Sequence, residues 1–358
     1  MAAREEDSER SFNGECSQPI KTKTGVWVRC GSRIASKCPT CAELYRGDWA
    51  AIARSGVFDP AVERYRFYLL TLTAPSFGRV HRVPRSPGKQ VKRCGCGDTH
   101  DLADVALRGV PLDPSTYDYV GQVSWNRDAG VLWDRTRRRI RDRWDTAEFF
   151  LVREWQDRGV LHLHVLVRIE RLEAPSAEPL REAARTAVAV SKIDGSFVEW
   201  GEQVDAAVFR ADGDGARTIW YLSKALNYVM KDTARAGMGG RGSNFAWMHL
   251  TALGAAARAI RCSPDCVPED CPKRVHDRYG SRSHVVSASR RTKHRTGWSF
   301  SALTRTEQRR RRREWMAAKE SAPAPNATPA RGSRTKPFWP SLIHATVLRW
   351  PELRHCRR

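Results

Sequence analysis

The sequence lacks any apolar run long enough to cross a membrane. Crossing a bilayer takes roughly 18 or more consecutive apolar residues, and no stretch of the 358 residues approaches that length. The first residues have no feature of a signal peptide either. A cytoplasmic protein is therefore expected, and because disulfides are rare in reducing compartments, its ten cysteines are expected to be free thiols or metal ligands.

Also missing is the phosphate-binding pattern Gly-x-x-x-x-Gly-Lys-Ser/Thr, which argues against a nucleotide-driven motor in this chain.

Acidic residues are scarce in the C-terminal part. From Lys273 onward, 22 Lys and Arg residues face 5 Asp and Glu residues, within a formal net charge of +22. A nearly balanced body with a basic extension predicts a polyanionic partner, and this is expected to be nucleic acid. A membrane surface is less favoured, because no helix has a clean apolar face opposite a basic one.

What the sequence does contain is a hairpin pattern with two histidines. Two apolar runs, 149–152 and 160–169, flank the short polar segment 156–159, which ends in glycine. Side chains alternate between the two faces of a strand. The second strand therefore places His162 and His164 on the same face.

A third ligand is available from the partner strand. Glu154 or Gln156 can join the two histidines and hold one divalent cation. The alternative is that two half-buried sheet histidines share a face by chance, since a three-residue match is weak evidence. An apolar strand, however, has no packing reason to carry two polar rings on one face, so the metal site is preferred.

Six further ligand residues form two tight clusters: Cys30, Cys38, Cys41, Cys94, Cys96 and His100. Cys38-x-x-Cys41 has the spacing of a zinc knuckle. One structural zinc site is predicted from this set, with the choice of four ligands left open and with free thiols or redox chemistry as the alternative. A third, looser cluster allows either a second zinc or free thiols, and it contains Cys262, Cys266, Cys271 and His276.

The order of elements predicts an α+β fold. Strands are expected at 66–73, 149–152, 160–169 and 203–210, and helices at 43–58, 128–144, 175–191 and 218–231. A β-α-β-β-α-β chain makes an antiparallel sheet with helices packed on one face, a ferredoxin-like (RRM-like) core. The histidine strand is then expected in mid-sheet, with its histidines facing away from the helices.

The helix expected at 218–231 carries a second reactive group. Tyr221 and Tyr228 are seven residues apart and share one helical face, with Lys224 between them. Tyrosines at this spacing are more commonly core aromatics. Beside a metal site in a basic protein, a tyrosine hydroxyl can instead attack a DNA phosphodiester, with Lys224 or Lys231 stabilising the developing charge.

Taken together, these motifs resemble the rolling-circle replication initiators of actinobacterial plasmids and integrative elements, which belong to the HUH endonuclease superfamily. The resemblance covers about residues 25–235. It rests on Cys30-Gly-Ser-Arg with Cys38-Pro-Thr-Cys41-Ala-Glu-Leu-Tyr-Arg-Gly-Asp48, Leu70-Thr-Leu-Thr-Ala-Pro-Ser-Phe-Gly78, Pro111-Leu-Asp-Pro-Ser-Thr-Tyr-Asp-Tyr119 and Arg158-Gly-Val-Leu-His-Leu-His-Val-Leu-Val-Arg168.

The resemblance implies an HUH core and site-specific nicking and joining of single-stranded DNA at a replication origin. The freed 3′-hydroxyl would prime synthesis while the 5′ end stays on a tyrosine. By position, His162 and His164 become ligands of Mg²⁺ or Mn²⁺, with Glu154 as the preferred third ligand.

The nucleophile is assigned by the same resemblance. Tyr228-Val-Met-Lys231-Asp232 matches the family form Tyr-x-x-Lys-Asp, which makes Tyr228 the preferred nucleophile. The family often reads Tyr-x-x-Lys-Tyr-x-x-Lys, whereas three residues separate Lys224 from Tyr228 in this chain. Tyr221 therefore stays an alternative.

The chain is expected to divide into an N-terminal zinc-knuckle segment at 1–60, a catalytic core at 61–235 with an insertion at 76–113, a basic DNA-binding region at 236–320, and a linker and tail at 321–358. Expected partners are single-stranded origin DNA, its double-stranded flank and a separate host helicase in a bacterial cytoplasm. The residues expected to contact phosphates are Arg290, Arg291, Lys293, Arg309, Arg310 and Arg311.

Three other interpretations compete. A zinc-stabilised protein that binds DNA without cutting it would share the cysteines and the basic region, but it has no use for a histidine pair beside a tyrosine helix. A hydrolytic nuclease needs no tyrosine, and this chain lacks the extra carboxylates of two-metal nucleases. An inactive relative of the initiators is favoured only by the shifted tyrosine spacing.

Overall fold

The computed structural model describes residues 16–58, 62–84, 93–191, 193–211, 244–273, 275–280 and 285–321. The strands in these ranges are β1 (Ile20–Lys21), β2 (Trp27–Val28), β3 (Tyr65–Thr73), β4 (Glu148–Trp155), β5 (Leu161–Glu170), β6 (Val188–Val190), β7 (Phe197–Glu199), β8 (Asp205–Phe209) and β9 (Val286–Ala288). The helices are α1 (Pro39–Ser55), α2 (Tyr119–Arg143), α3 (Ala177–Arg185), α4 (Asn244–Ala259) and α5 (Arg305–Ser321), with short 3-10 helices at Val62–Arg64 and Ala103–Leu107.

Five antiparallel strands form the central sheet, in the order β8–β3–β5–β4–β9. The histidine strand β5 is the middle strand, as predicted, and forms a hairpin with β4. In the turn, Gly159 has a φ of +74°, a conformation that glycine adopts without steric cost. The predicted β-α-β-β-α-β succession corresponds to β3, α2, β4, β5, α3 and β8. The prediction of mixed helix and antiparallel sheet is confirmed.

One face of the sheet is covered by α2 and α3. Leu151 of β4 and Leu163 and Val165 of β5 point to this side, because alternate side chains of a strand share a face. They pack in one core cluster with Leu132 of α2 and Leu180 of α3. The two crossover helices therefore form a single layer, as the sequence predicts for them.

The opposite face is also covered, and here the prediction of helices on one face only is wrong. Phe150 and Leu166 point to this side and pack with Ile52 of α1 and with Trp298. Trp298 is fully buried, and its indole N–H donates to the carbonyl of Ile52 at 3.1 Å. The N-terminal helix and a C-terminal segment thus build a second core on the same sheet.

A buried arginine ties this second core together. Arg168 of β5 is 0% exposed, and its guanidinium donates to the carbonyls of Gly56 at 3.0 Å and of Gly297 and Trp298 at 2.6 Å each. The same group lies 3.6 Å from the ring centre of Phe300. Burying a charged group is costly unless the group is hydrogen-bonded. The three hydrogen bonds of Arg168 offset this cost, and they join β5 to the end of α1 and to the segment around Trp298.

Helix boundaries differ from the predictions for physical reasons. α1 begins at Pro39, a residue suited to the first helical turn. α2 begins at Tyr119 rather than at 128, because the Asp118 carboxylate caps it by accepting a hydrogen bond from the Gly121 amide at 2.7 Å. The helix predicted at 175–191 ends at Arg185 and gives way to the β6–β7 hairpin. The helix predicted at 218–231 lies outside the described residues.

Within the part of the chain that the structure describes, no helix combines the length and apolar composition needed to span a bilayer.

Candidate metal centres and DNA-binding surface

His162 and His164 lie on β5 with their rings on one face, and their ring centres are 4.5 Å apart. The partner strand β4 places Glu154 directly opposite His162. A carboxylate oxygen of Glu154 lies 3.2 Å from Nε2 of His164. Two imidazoles and one carboxylate therefore share one face of the two central strands. Nitrogen and oxygen donors of this kind bind divalent cations in proteins, but these three residues are not among the described groups whose ligand atoms all lie within 4.8 Å of one another.

The two histidines of this group are buried to different extents. His164 is only 3% exposed, whereas His162 is half-buried. On β3, Thr71 lies opposite His164 and Thr73 lies opposite His162. The group faces away from α2 and α3, as predicted. It lies on the same sheet face as the second core, but nearer the β4–β5 turn than the part covered by α1 and Trp298.

Gln156 belongs to the hairpin turn. Its Oε1 accepts a hydrogen bond from Nε of Arg158 at 3.1 Å, and its backbone N–H donates to the carbonyl of Val160 at 2.9 Å. Of the two candidate third ligands, Glu154 is the one whose carboxylate the structure places against a histidine. The candidate nucleophiles and their lysines lie outside the described residues, so their roles stay predictions: Tyr221, Lys224, Tyr228 and Lys231.

Three other side-chain groups have four ligand atoms that all lie within 4.8 Å of one another. The first group is Cys16, Cys30, Cys38 and Cys41; the second is His81, Cys94, Cys96 and His100; the third is Cys262, Cys266, Cys271 and His276. Sets of four cysteines, of two cysteines with two histidines, and of three cysteines with one histidine are all characteristic of structural zinc. The structure divides the six residues predicted for one zinc site between the first two groups and adds Cys16 to one and His81 to the other.

Cys16 and His81 are the ligands that sequence reasoning missed. Cys16 lies 14 residues before Cys30, and His81 lies 13 residues before Cys94, so neither spacing forms a recognised motif. A count of ligands could have found Cys16, because Cys30, Cys38 and Cys41 are one short of a tetrahedral set.

The first group is prepared electrostatically for a metal. Burial opposes ionisation of Cys38, but hydrogen bonds from Cys41 and Ser17 outweigh it and lower the pKa of this thiol to about 6. Burial, together with the neighbouring thiols, raises the pKa of Cys41 to about 12. Since zinc binds thiolates, the hydrogen bonds that favour the ionised form of Cys38 also favour metal binding at this group.

The second group has a partner behind its metal-facing histidine. Nε2 of His100 lies 3.3 Å from Sγ of Cys96, while Nδ1 lies 3.1 Å from the Asp104 carboxylate. Zinc-binding histidines usually make such a second contact, which fixes the tautomer and the ring orientation. Burial opposes ionisation of Cys94, but hydrogen bonds from Arg82, Cys96 and His100 lower the pKa of its thiol to about 7.

The basic residues predicted to contact DNA are exposed. Arg290, Arg291 and Lys293 follow β9, and Arg309, Arg310 and Arg311 lie on α5. A different pair of α5 arginines reaches inward, because Arg312 and Arg305 lie 2.7 and 3.5 Å from the buried carboxylate of Asp48 on α1. This ion-pair network fixes α5 on α1 and leaves the other side of α5 open to solvent.

Comparisons with known proteins identify similarity to replication initiators. A family model described as "Replication initiator protein, pSAM2" (RepSA) matches residues 3–344. A "Replication initiator protein" of Streptomyces ambofaciens is 35% identical over 248 residues, which cover 58% of this chain and 52% of the relative. The chain thus spans about half the length of that relative. No solved structure matches significantly.

Proposed function

Because this chain belongs to the pSAM2 replication initiator family, we propose that it initiates rolling-circle replication as an HUH endonuclease that nicks and rejoins single-stranded origin DNA. The group formed by His162, His164 and Glu154 on the central strands carries this proposal. A protein that only binds DNA would have no use for such a group in the middle of its sheet. The β-α-β-β-α-β order of the antiparallel sheet supports a ferredoxin-like (RRM-like) HUH core.

The proposed nucleophile is the hydroxyl of Tyr228, with Tyr221 as the alternative. The tyrosine oxygen attacks the phosphorus, the phenolic proton passes to a base or to solvent, and the bond between phosphorus and the 3′ oxygen breaks. The 3′ oxygen takes up a proton and leaves as a hydroxyl, while the 5′ phosphate stays on the tyrosine. One ester is exchanged for another, so the reverse reaction rejoins the strand.

The roles of the remaining residues follow from their chemistry. Lys224 or Lys231 would stabilise the phenolate or the phosphate. His162, His164 and Glu154 would hold Mg²⁺ or Mn²⁺, and their nitrogen and oxygen donors fit a divalent cation. When bound, such an ion polarises phosphoryl oxygens and offsets their charge.

Exposed basic residues would bind the DNA backbone. Those after β9 and on α5 would contact the phosphates of the single-stranded origin and of its double-stranded flank, which supplies affinity but little sequence choice. Strand separation would come from a host helicase in the bacterial cytoplasm, since the sequence has no Gly-x-x-x-x-Gly-Lys-Ser/Thr pattern.

A denaturing gel of the protein with labelled single-stranded origin DNA and Mg²⁺ or Mn²⁺ tests the proposal. The variants are Tyr228→Phe, Tyr221→Phe and the double variant His162→Ala/His164→Ala, with Glu178→Ala, an exposed residue of α3, as the control. We expect a covalent protein–DNA band that is lost in Tyr228→Phe and in the double variant but is retained in Glu178→Ala.

The other outcomes decide among the alternatives. Loss of the band in Tyr221→Phe instead would keep the function and move the nucleophile. Cleavage without an adduct would mean hydrolysis by water. Binding of the correct origin without cleavage by the wild-type protein would leave a zinc-stabilised DNA-binding protein or an inactive relative.

A further inference from the structure

The third cysteine group lies in a loop without regular secondary structure. Between α4 and β9, the described residues 260–273 and 275–280 form only turns and bends. Val267 is 55% exposed, and the apolar contact of this loop with the core is made near its end, where Tyr279 packs with Leu253 of α4. Within it, however, Cys266 and His276 are buried. A loop with a buried thiol and imidazole inside an exposed chain needs something to hold it closed.

The spacing of the four ligand atoms fits a tetrahedral zinc ion. Sulfurs about 2.3 Å from a tetrahedral centre lie about 3.8 Å from each other, and a nitrogen at about 2.0 Å lies about 3.5 Å from them. Here Sγ of Cys262 and Sγ of Cys271 are 3.7 Å apart, and Sγ of Cys266 lies 3.4 Å from Nε2 of His276. A disulfide would need sulfurs at about 2.05 Å.

The loop is tied to the core through α2. The guanidinium of Arg127 donates to the carbonyl of Ala257 at 2.7 Å and to those of Ile260 at 3.2 Å and Arg261 at 3.3 Å. It also donates to the carbonyl of Val275 at 3.3 Å, on the other side of the cysteine group. One arginine therefore joins both ends of the loop, and its hydrogen bonds can form together only while the loop is closed.

The neighbouring residue of α2, Asn126, connects this loop to the hairpin turn between β4 and β5. The side-chain amide of Asn126 donates to the carbonyls of Gly159 and Tyr279 at 2.9 Å each, and its oxygen accepts from the backbone N–H of Leu161 at 3.0 Å. The ring of Tyr279 packs edge-on to that of Trp155, with centres 5.7 Å apart. Trp155 and Leu161 are the chain neighbours of Glu154 and His162.

We propose that Cys262, Cys266, Cys271 and His276 bind one structural zinc ion, and that this ion positions Glu154 and His162 by clamping the loop and α4 onto the β4–β5 turn. The four residues are positioning residues, since they lie outside the histidine–carboxylate group. The zinc site itself is independent of the proposed nicking activity; only its effect on the catalytic metal rests on the proposed function.

The test uses the whole chain and Cys266→Ser, with Cys266→His as the conservative variant and Cys356→Ser, at a cysteine outside the described residues, as the control. Zinc is counted by mass spectrometry of the metal. We expect Cys266→Ser to hold one zinc fewer than the wild type, and Cys266→His and Cys356→Ser to hold the wild-type number. An unchanged zinc count in Cys266→Ser would overturn the site.

Hydrogen exchange and Mn²⁺ binding then test the positioning role. In Cys266→Ser we expect the amides of Gly159 and Leu161 to exchange at least about tenfold faster, and Mn²⁺ binding followed by electron paramagnetic resonance to weaken by about tenfold. Cys266→His should restore both. Loss of the zinc with unchanged exchange and unchanged Mn²⁺ binding would overturn the clamp. A wild-type protein that holds the third zinc but forms no DNA adduct would contradict the proposed function alone.

Discussion

At the scale of single residues, Arg168 shows how a charged side chain can organise a core. Its guanidinium contacts three backbone carbonyls and the ring of Phe300 inside the second core. The sequence places this arginine on an apolar strand, where a buried cation is unexpected. Its partners come from the end of α1 and from the segment around Trp298, so no local pattern could have predicted them.

Replacing Arg168 by methionine keeps much of the side-chain volume but leaves these carbonyls without their donor. Because an unsatisfied buried polar group costs about 1–3 kcal/mol, we expect the free energy of unfolding to fall by about 3 kcal/mol. Urea unfolding at neutral pH with zinc present measures this change. The exposed Arg138→Met is the control, and an equal loss of stability in both variants would contradict the explanation.

At the scale of elements, the β4–β5 turn beside the candidate catalytic centre is closely packed against α4. A Cβ added to Gly159 would lie 2.7 Å from Cδ1 of Leu253 on α4, at a φ of +74°. Gly195, in the turn between β6 and β7, has the same φ but nothing within 4 Å of an added Cβ. The two glycines therefore separate backbone strain from contact with α4.

We expect Gly195→Ala to cost about 1–2 kcal/mol of stability, the usual penalty for a side chain in the left-handed region. Gly159→Ala should cost more and should also reduce formation of the DNA adduct, because α4 must move away from the turn. Urea unfolding and the denaturing gel measure the two effects. Equal destabilisation with unchanged adduct formation would mean that α4 does not constrain the turn.

A buried histidine makes the attachment of α4 sensitive to pH. Nε2 of His249 lies 3.0 Å from the carbonyl of Arg158, and burial lowers the pKa of this histidine. The folded protein then binds fewer protons than the unfolded chain at this site. Its contribution to stability is therefore complete above about pH 6.5, the ordinary value, and is lost as the pH falls through the lower folded-state value.

We expect the wild-type protein to lose stability between pH 7 and 5 more steeply than His249→Gln, whose amide can still donate to the Arg158 carbonyl but does not titrate. Cysteine ligands titrate in both proteins, so the difference between the two urea-unfolding profiles reports His249. Parallel profiles would show that His249 does not contribute to the acid sensitivity.

At the scale of the whole molecule, the three cysteine and histidine groups lie far apart along the chain. They involve residues 16–41, 81–100 and 262–276. The first group joins an N-terminal segment to the start of α1, and the third lies in a loop of turns and bends. Metal binding and folding are coupled in such segments, because the metal binds the folded arrangement and releases protons from the thiols.

We expect a strong zinc chelator at neutral pH to lower the melting temperature of the wild-type protein, with recovery when zinc is returned. Excess Mg²⁺ should not restore it, because Mg²⁺ prefers oxygen ligands. Differential scanning calorimetry measures the change. An unchanged melting temperature after the zinc is shown to be removed would contradict a structural role for these groups.

Features that depend on neighbouring residues could be predicted from the sequence. Strand alternation placed His162 and His164 on one face, and the apolar runs around Gly159 predicted the hairpin. Contacts between distant segments were not encoded locally, so Cys16, His81 and the layer around Trp298 were missed. An isolated tryptophan in a basic region gives no periodic signal, and only its partners on α1 explain its burial.

The contact between Trp298 and Ile52 has a consequence for synthesis on the ribosome. The two residues are separated by 246 positions. At a synthesis rate of about 5–20 residues per second, Trp298 is added to the chain roughly 12 to 50 s after Ile52. During that interval the nascent chain exposes the apolar surface of α1 and of the sheet face beneath it. Ribosomal pausing within the last part of the message would prolong that exposure, so translation speed there is expected to influence how much protein escapes aggregation.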